Sequence, residues 1–356
     1  DNRFGFEETA YLLLFGELPA ASQLKEFQDV LAKNRRLPTN FVRDVIMKAP
    51  SKDIMNSLTK SVLTLASYDD KVTDNSLENV LSQSIMLISV FPMLAVYGYH
   101  AYNHYECDES FYIHRPSDEL SAAENILRML RPNKEYTDVE AKVLDLALVL
   151  HMEHGGGNNS TFANVVISST GTDIYSCISA AIGSLKGPKH GGANCKVTNM
   201  FKAIFHEVGF TTDKLTLKKI ANRLLDKDFF DHSGLIYGIG HAIYTKSDPR
   251  ALLIQQQCEM LAKSKGQEDI YNCIHAFEKV AVEVMKERKG IDVCANVDYY
   301  SGYVYSLLGI ENDLFTPLFA ISRTAGWVSH HLENRQSNRK LIRPANVYVG
   351  EMEENE

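Results

Sequence analysis

This sequence has almost no alternation of β-branched and polar residues; Asn346 to Val349 is the one short candidate strand. That excludes a sheet-built fold and leaves a predominantly α one. Fixed-period repeats and low-complexity linkers are also missing, so any domain boundary lies in ordinary loops. Cys107, Cys177, Cys195, Cys258, Cys273 and Cys294 are widely spaced, with neither a C-x-x-C pair nor zinc-ribbon spacing. They read as the reduced thiols of a cytoplasmic protein. There is no basic excess: the net charge of -8 and a pI near 5.9 argue against nucleic acid or an anionic membrane as a general partner. The beginning lacks a basic start followed by an apolar signal core. Charge itself is absent over the 21 residues from Asn79 to Tyr99, which raises the question of a membrane span. Gln83, several serines, Pro92 and the lack of a second such stretch favour a buried core helix broken near Pro92.

What the chain does have is helical periodicity. With 356 residues, 45% of them apolar, it is long enough for two domains or one large core. Apolar residues recur at helical spacing in Phe6 to Leu18, from Ser22 on, and in Thr39 to Ala49, Ile54 to Ser67, Ser76 to Tyr105, Ser121 to Leu130 and Thr137 to His151. From Ala193 to about Tyr305 the helices become shorter and richer in lysine, as in Leu215 to Leu225 and Asp269 to Lys289, which suggests a smaller domain inserted in a larger one. Apolar helical sequence resumes from Tyr303 to Leu332.

Several polar stretches interrupt this pattern. Gly187-Pro-Lys-His190-Gly-Gly192 precedes the amphipathic run Ala193 to Val208, so His190 is expected at a helix N-terminus, where the helix dipole favours a neutral imidazole. A neutral imidazole can donate a hydrogen bond to a carbonyl without giving up its proton; the alternative is a turn histidine decorating a loop. In His151-Met-Glu-His154-Gly-Gly-Gly-Asn158 two histidines stand at i, i+3, a spacing that puts both on one helix face. They read as a metal pair, as binders of carbonyl and carboxylate groups, or as a polar helix end before a glycine loop. HExxH and a phosphate-loop lysine are both missing. Gly234-Leu-Ile-Tyr-Gly-Ile-Gly-His241 through Asp248-Pro-Arg250 adds a third histidine and an arginine, without the glycine spacing of a dinucleotide site. Asp298, among apolar and aromatic residues, reads either as a desolvated carboxylate base or as a helix N-cap. Arg323 lies in an apolar helix, where an unpaired guanidinium is costly; Arg343, near the end, says less alone. Together these are parts for carbon-acid chemistry on a substrate with two carboxylates.

The order of these motifs resembles the citrate synthase family. The matching stretches are H-x-E-H-G-G-G-N with His154, G-P-K-H-G-G-A-N with His190, G-x-G-H-A-x-Y with His241 and S-D-P-R with Arg250, then N-V-D-Y-Y-S-G with Asp298, S-R-T-A-G-W with Arg323 and R-P with Arg343. The resemblance runs from about Phe6 to Val349. It implies an all-α, citrate synthase-like homodimer. Its large domain, residues 1–193 and 305–356, would close with a small domain, 194–304, over oxaloacetate. By the same resemblance Asp298 takes a proton from the methyl group of acetyl-CoA, His190 stabilises the enol and His241 polarises the oxaloacetate carbonyl. His154, Arg250 and Arg323 hold oxaloacetate, with Arg343 supplied by the other subunit. The acyl-CoA co-substrate would lie along Leu235, Ile236, Tyr237, Gly238 and Ile239 with Lys246 near its phosphates. Neither a metal nor a tightly bound cofactor is called for. The sequence departs from the family in three places: the family usually has a further segment ahead of the first helix, Thr245 stands where many members have a basic residue, and Lys286 to Asp292 matches poorly. Three rival readings remain: a 2-methylcitrate synthase using propionyl-CoA, a catalytically silent dimeric interaction module, and a metal hydrolase built on His151 and His154.

Overall fold

The structure, a computed structural model, describes residues 3–241, 244–337, 340–347 and 349–350. Among them the chain forms fourteen α-helices. The first six are α1 (Phe6–Phe15), α2 (Ala21–Asn34), α3 (Ile54–Leu65), α4 (Leu77–Glu106), α5 (Ala122–Leu130) and α6 (Asp138–His151). Next come α7 (Asn159–Ser168), α8 (Ile174–Leu185), α9 (Ala193–Val208) and α10 (Lys214–Leu225). The last four are α11 (Pro249–Ser264), α12 (Glu268–Lys289), α13 (Val297–Leu307) and α14 (Phe315–Gln336). Their starts follow from the sequence: Ser121 and Thr137 make capping boxes with Glu124 and Glu140, satisfying N–H groups that a helix end leaves unpaired. The described residues of the candidate strand near the C-terminus are irregular, and Tyr348 lies outside the described residues.

Two groups of helices result. The first is centred on α4, which packs against α14, α3, α2 and α5, with α7 on α8 and α14. Every residue of α4 from Leu87 to Gly98 is buried, which explains its missing charge; 78% of its most apolar window lies inside the protein. The expected break near Pro92 does not occur, and α4 runs unbroken for 30 residues. Proline costs a helix one hydrogen bond and some strain, about 3 kcal/mol, and here tight packing on every side outweighs that cost. The helix expected over Thr39 to Ala49 shrinks to one wide turn, Val42–Ile46. The apolar stretch from Tyr303 splits at Gly309, whose φ is 71°, into the end of α13 and the start of α14.

The second group places α11 against α13 and α12, α10 against α12, and α9 against α13. It meets the first where α11 lies along α6 and α9 along α14. The polar motifs gather at the C-terminal end of α6, at the N-terminal ends of α9, α11 and α13, and in the middle of α14.

Candidate active site

His190 sits where the sequence put it, three residues before α9, with its backbone N–H bonded to the Gly187 carbonyl at 2.9 Å. The tight turn needs Gly191: a Cβ there would collide with the Leu185 carbonyl and lie 2.9 Å from Thr316. The ring's Nε2 faces Asn158 Oδ1 and Ser160 Oγ, each at 3.1 Å. Ser160 in turn accepts the Trp327 indole N–H at 3.2 Å. Burial, reinforced by Arg323 and His154, pushes the His190 imidazole down to about 4, so it is neutral near pH 7.

His241 and Asp298 are brought together by backbone pairing. Ile239 and Ala295 form an isolated antiparallel bridge, with Gly240 N–H on the Cys294 carbonyl at 2.8 Å and Asn296 N–H on the Gly238 carbonyl at 2.9 Å. The next residues along each strand of that bridge lead into His241 and into α13. Asn296 caps α13 through the Asp298 N–H at 3.0 Å, so the cap is Asn296 and Asp298 stands in the first turn. Burial pushes the Asp298 carboxyl up to about 6 against the pull of Arg250 and Arg323. The His241 Nδ1 accepts the Tyr244 N–H at 3.2 Å, so a neutral ring carries its proton on Nε2, 3.5 Å from an Arg250 Nη2. Burial and then Arg250 lower the pKa of His241.

His154 lies 5.8 Å from His241, ring to ring, and nearly perpendicular to it. His151 and His154 do not share a helix face, contrary to what their spacing suggests. α6 ends at His151, whose ring turns into the core, with Nδ1 on the Ala147 carbonyl at 2.7 Å, while His154 stands in the loop beyond. Among the described residues no three His, Cys, Asp or Glu side chains converge as a metal site would require.

Two arginines that act on both His154 and Asp298 are in different states. Arg250 is held by Asp248, with Nε on Oδ1 at 3.1 Å and Nη2 on Oδ2 at 2.8 Å. Arg323 is 2% exposed; its Nε donates to the His151 carbonyl at 2.7 Å, its plane lies over Phe319, and Nη1 is buried without a partner. Burial lowers it to about 10, which leaves it charged. Next to these groups is a cleft of about 830 Å³ lined by His154, Asn158, Ser184, Pro188 and His190 among others.

The remaining candidates are placed less centrally. Arg343 is exposed. The neighbouring Ile342 N–H bonds to Ser169 Oγ at 3.1 Å, at the far end of α7 from Asn158. A ten-residue helix spans about 15 Å, so Arg343 stands outside its own chain's cleft. The Ile236 side chain packs into the core; Leu235 is exposed, Tyr237 bonds Asp231 at 2.6 Å, Gly238 and Ile239 are half-buried, and Lys246 is on the surface. Asp248, Ser160, Trp327 and Glu153 also serve the site; all but Ser160 stand inside the quoted motifs, without a role given to them there. The Asp-Pro step before a helix was a legible cap signal for Asp248; nothing local marks Ser160.

A desolvated carboxylate, neutral imidazoles and a guanidinium with an unpaired N–H, close enough to shift one another's ionisation, suit proton abstraction next to a carbonyl on an anionic substrate. Residues 1–345 match the family model described as citrate synthase, C-terminal domain. The chain is 38% identical over 345 residues to a citrate synthase of Deinococcus radiodurans, covering 97% of this chain and 85% of that one. It is 32% identical to a 2-methylcitrate synthase of Shewanella oneidensis, covering 97% and 84%. A citrate synthase of Thermoplasma acidophilum, solved in ternary complex with carboxymethyl coenzyme A and oxaloacetate, superimposes with a TM-score of 0.81 at 28% identity, over 98% of this chain and 87% of that one. The chain is therefore an all-helical acyltransferase. It belongs to the citrate synthase family, and its function is that of a citrate synthase.

Proposed function

We propose that Asp298 removes a proton from the methyl group of acetyl-CoA while His190 donates a hydrogen bond to the thioester oxygen. The nascent enol carbon then attacks the carbonyl of oxaloacetate, whose oxygen receives the His241 Nε2 proton. Hydrolysis of the resulting thioester releases citrate and CoA. The observation that carries this reading is Asp298: its carboxyl is pushed up to about 6, which makes it a stronger base that is still ionised at pH 7. His190 can present Nδ1–H when Ser160, whose oxygen accepts from Trp327, donates to its Nε2. Arg323, with an unpartnered Nη1, and Arg250, with His154, hold the oxaloacetate carboxylates.

The protein acts as a homodimer in this reading, with Arg343 reaching the partner's cleft, since it stands about a helix length from its own. Residues 194–304 move as a small domain against 1–193 and 305–356. Six free thiols support a reducing, cytoplasmic compartment.

The test is CoA release by the purified protein given oxaloacetate with acetyl-CoA or propionyl-CoA. Faster turnover with acetyl-CoA is expected. Because one methylene is worth only about 1 to 3 kcal/mol in an apolar pocket, a strong propionyl-CoA preference would instead place the chain with the 2-methylcitrate synthases. Oxaloacetate binding with no CoA release from either donor would make it a silent module.

A further inference from the structure

One face of α14 forms a bed for the loop that carries His154. Arg323, Gly326 and His330 stand at i, i+3 and i+7, in a single stripe along the helix. Arg323 holds the His151 carbonyl at the loop's entry, at 2.7 Å. Gly326 makes room for Met152 and Glu153, since a Cβ there would collide with the Met152 carbonyl and Glu153 Oε2. One turn on, His330 Nε2 donates to Glu153 Oε1 at 3.0 Å. That carboxylate oxygen also accepts the backbone N–H of His154 at 2.9 Å and, in a short contact, that of Gly155. Three donors thus converge on one oxygen, two from the loop's own backbone and one from α14.

We propose that His330 is a positioning residue for oxaloacetate: by holding Glu153, it fixes the backbone of His154 and Gly155 and so the place of the His154 ring in the cleft. The proposal rests on the reading that His154 binds oxaloacetate. An ordinary surface ion pair would matter little. This one differs because Glu153 Oε2 is buried without a partner and the carboxylate also acts on Arg323. Without His330, Glu153 is left with Arg323 as its cationic neighbour, the group intended for the substrate's carboxylate.

The charged groups facing His330 are Glu153 from the loop, Glu333 at 3.7 Å on its own helix, and Arg323 on the same stripe. The hydrogen bond to Glu153 is the main reason its pKa is raised above the ordinary 6.5, against the effect of burial. The charged pair is therefore complete at and below pH 6.5 and is lost as pH rises through the raised value.

The experiment measures oxaloacetate KM and kcat at saturating acetyl-CoA, from pH 6.5 to about 9. It compares the wild-type chain with His330→Ala, His330→Gln and His154→Asn. His330→Ala is expected to raise KM about tenfold with kcat within about twofold. His330→Gln keeps an N–H donor but no charge, so its KM should exceed wild type by about threefold at low pH and converge with it at high pH. An unchanged KM in His330→Ala, a fall in kcat with KM unmoved, or a His330→Gln deficit that is the same at every pH overturns the proposal. Should His330→Ala fail to fold, the pH dependence of His330→Gln decides alone. If His154→Asn raises KM and the His330 variants do not, the proposal fails and the binding role of His154 stands. If His154→Asn leaves KM unmoved, both fail.

Discussion

The two ends of α6 treat buried charge in opposite ways. At its start, Glu140 is 6% exposed and fully engaged: Arg131 grips it with two bonds of 2.8 and 3.0 Å, Lys265 from the end of α11 adds one of 2.8 Å, and the Thr137 N–H another of 3.0 Å. At its finish, about 20 Å away along the helix, lie His151, Arg323 and Asp298, with a buried Nε2 on His151 and a buried Nη1 on Arg323 left unpartnered. The pKa values record the contrast. Burial acts to raise both carboxyls, yet the bonds from Arg131 and Lys265 bring Glu140 down to about 2, while Asp298 stays up at about 6. The paired end contributes stability, whereas the unpaired end costs it and keeps Arg323 and Asp298 available to a substrate.

The largest break in that contrast is Asp298→Asn. It should lower turnover by about a thousandfold or more, measured as CoA release, because the base is gone. Oxaloacetate binding should survive; the single tryptophan, Trp327, fully buried and bonded to Ser160 beside His190, gives a fluorescence signal for it. The same variant should be more stable at pH 7. Because Asp298 binds its proton more tightly folded than unfolded, its ionisation costs stability as pH rises from 3.8 through about 6, a shift of about two units or up to 3 kcal/mol. A thermal melt that shows destabilisation would make Asp298 structural. In the wild type the base form is lost below about pH 6, so kcat/KM should fall on the acid side with that midpoint.

Next in size is Arg323→Met. Oxaloacetate affinity should fall about a hundredfold or more, since a desolvated carboxylate loses its cation. Melting temperature should change little, because losing the bond to the His151 carbonyl is offset by removing a buried guanidinium with one N–H unpaired. A large loss of stability with affinity intact would place Arg323 in the architecture and not in the site.

Much of this was legible in the residues. Helical periodicity marked α3, α5 and α6 closely, and six of the seven polar positions singled out, all but Arg343, lie together in the fold; cation, imidazole and carboxylate in apolar sequence are costly unless used. Pro92 misled, since local propensity does not know that α4 is packed on every side. His151 misled too, because where α6 ends decides which histidine faces the cleft. α7 and α8, whose apolar residues are mixed with serine and glycine, carried too weak a pattern to stand out. Ser160 and His330 act through partners distant in sequence, and the chain brings them together only by folding.

The smallest expected effect tests the paired end. Glu140→Gln keeps the shape but gives Arg131 and Lys265 no anion. The depressed pKa of Glu140 means that its stabilisation is complete above 4.5 and is lost as pH falls toward about 2. The shift is about two to three units, but Lys265 is partly exposed and solvent screens its share, so about 1 to 2 kcal/mol is the expected loss at pH 7. Wild type and variant should converge in stability near the lower end of that range. The KM for oxaloacetate should not change, because the junction lies a helix length from the cleft. A KM that moved with Glu140→Gln would mean that the contact between α6 and α11 transmits the state of one end to the other, and the two ends would no longer be separable.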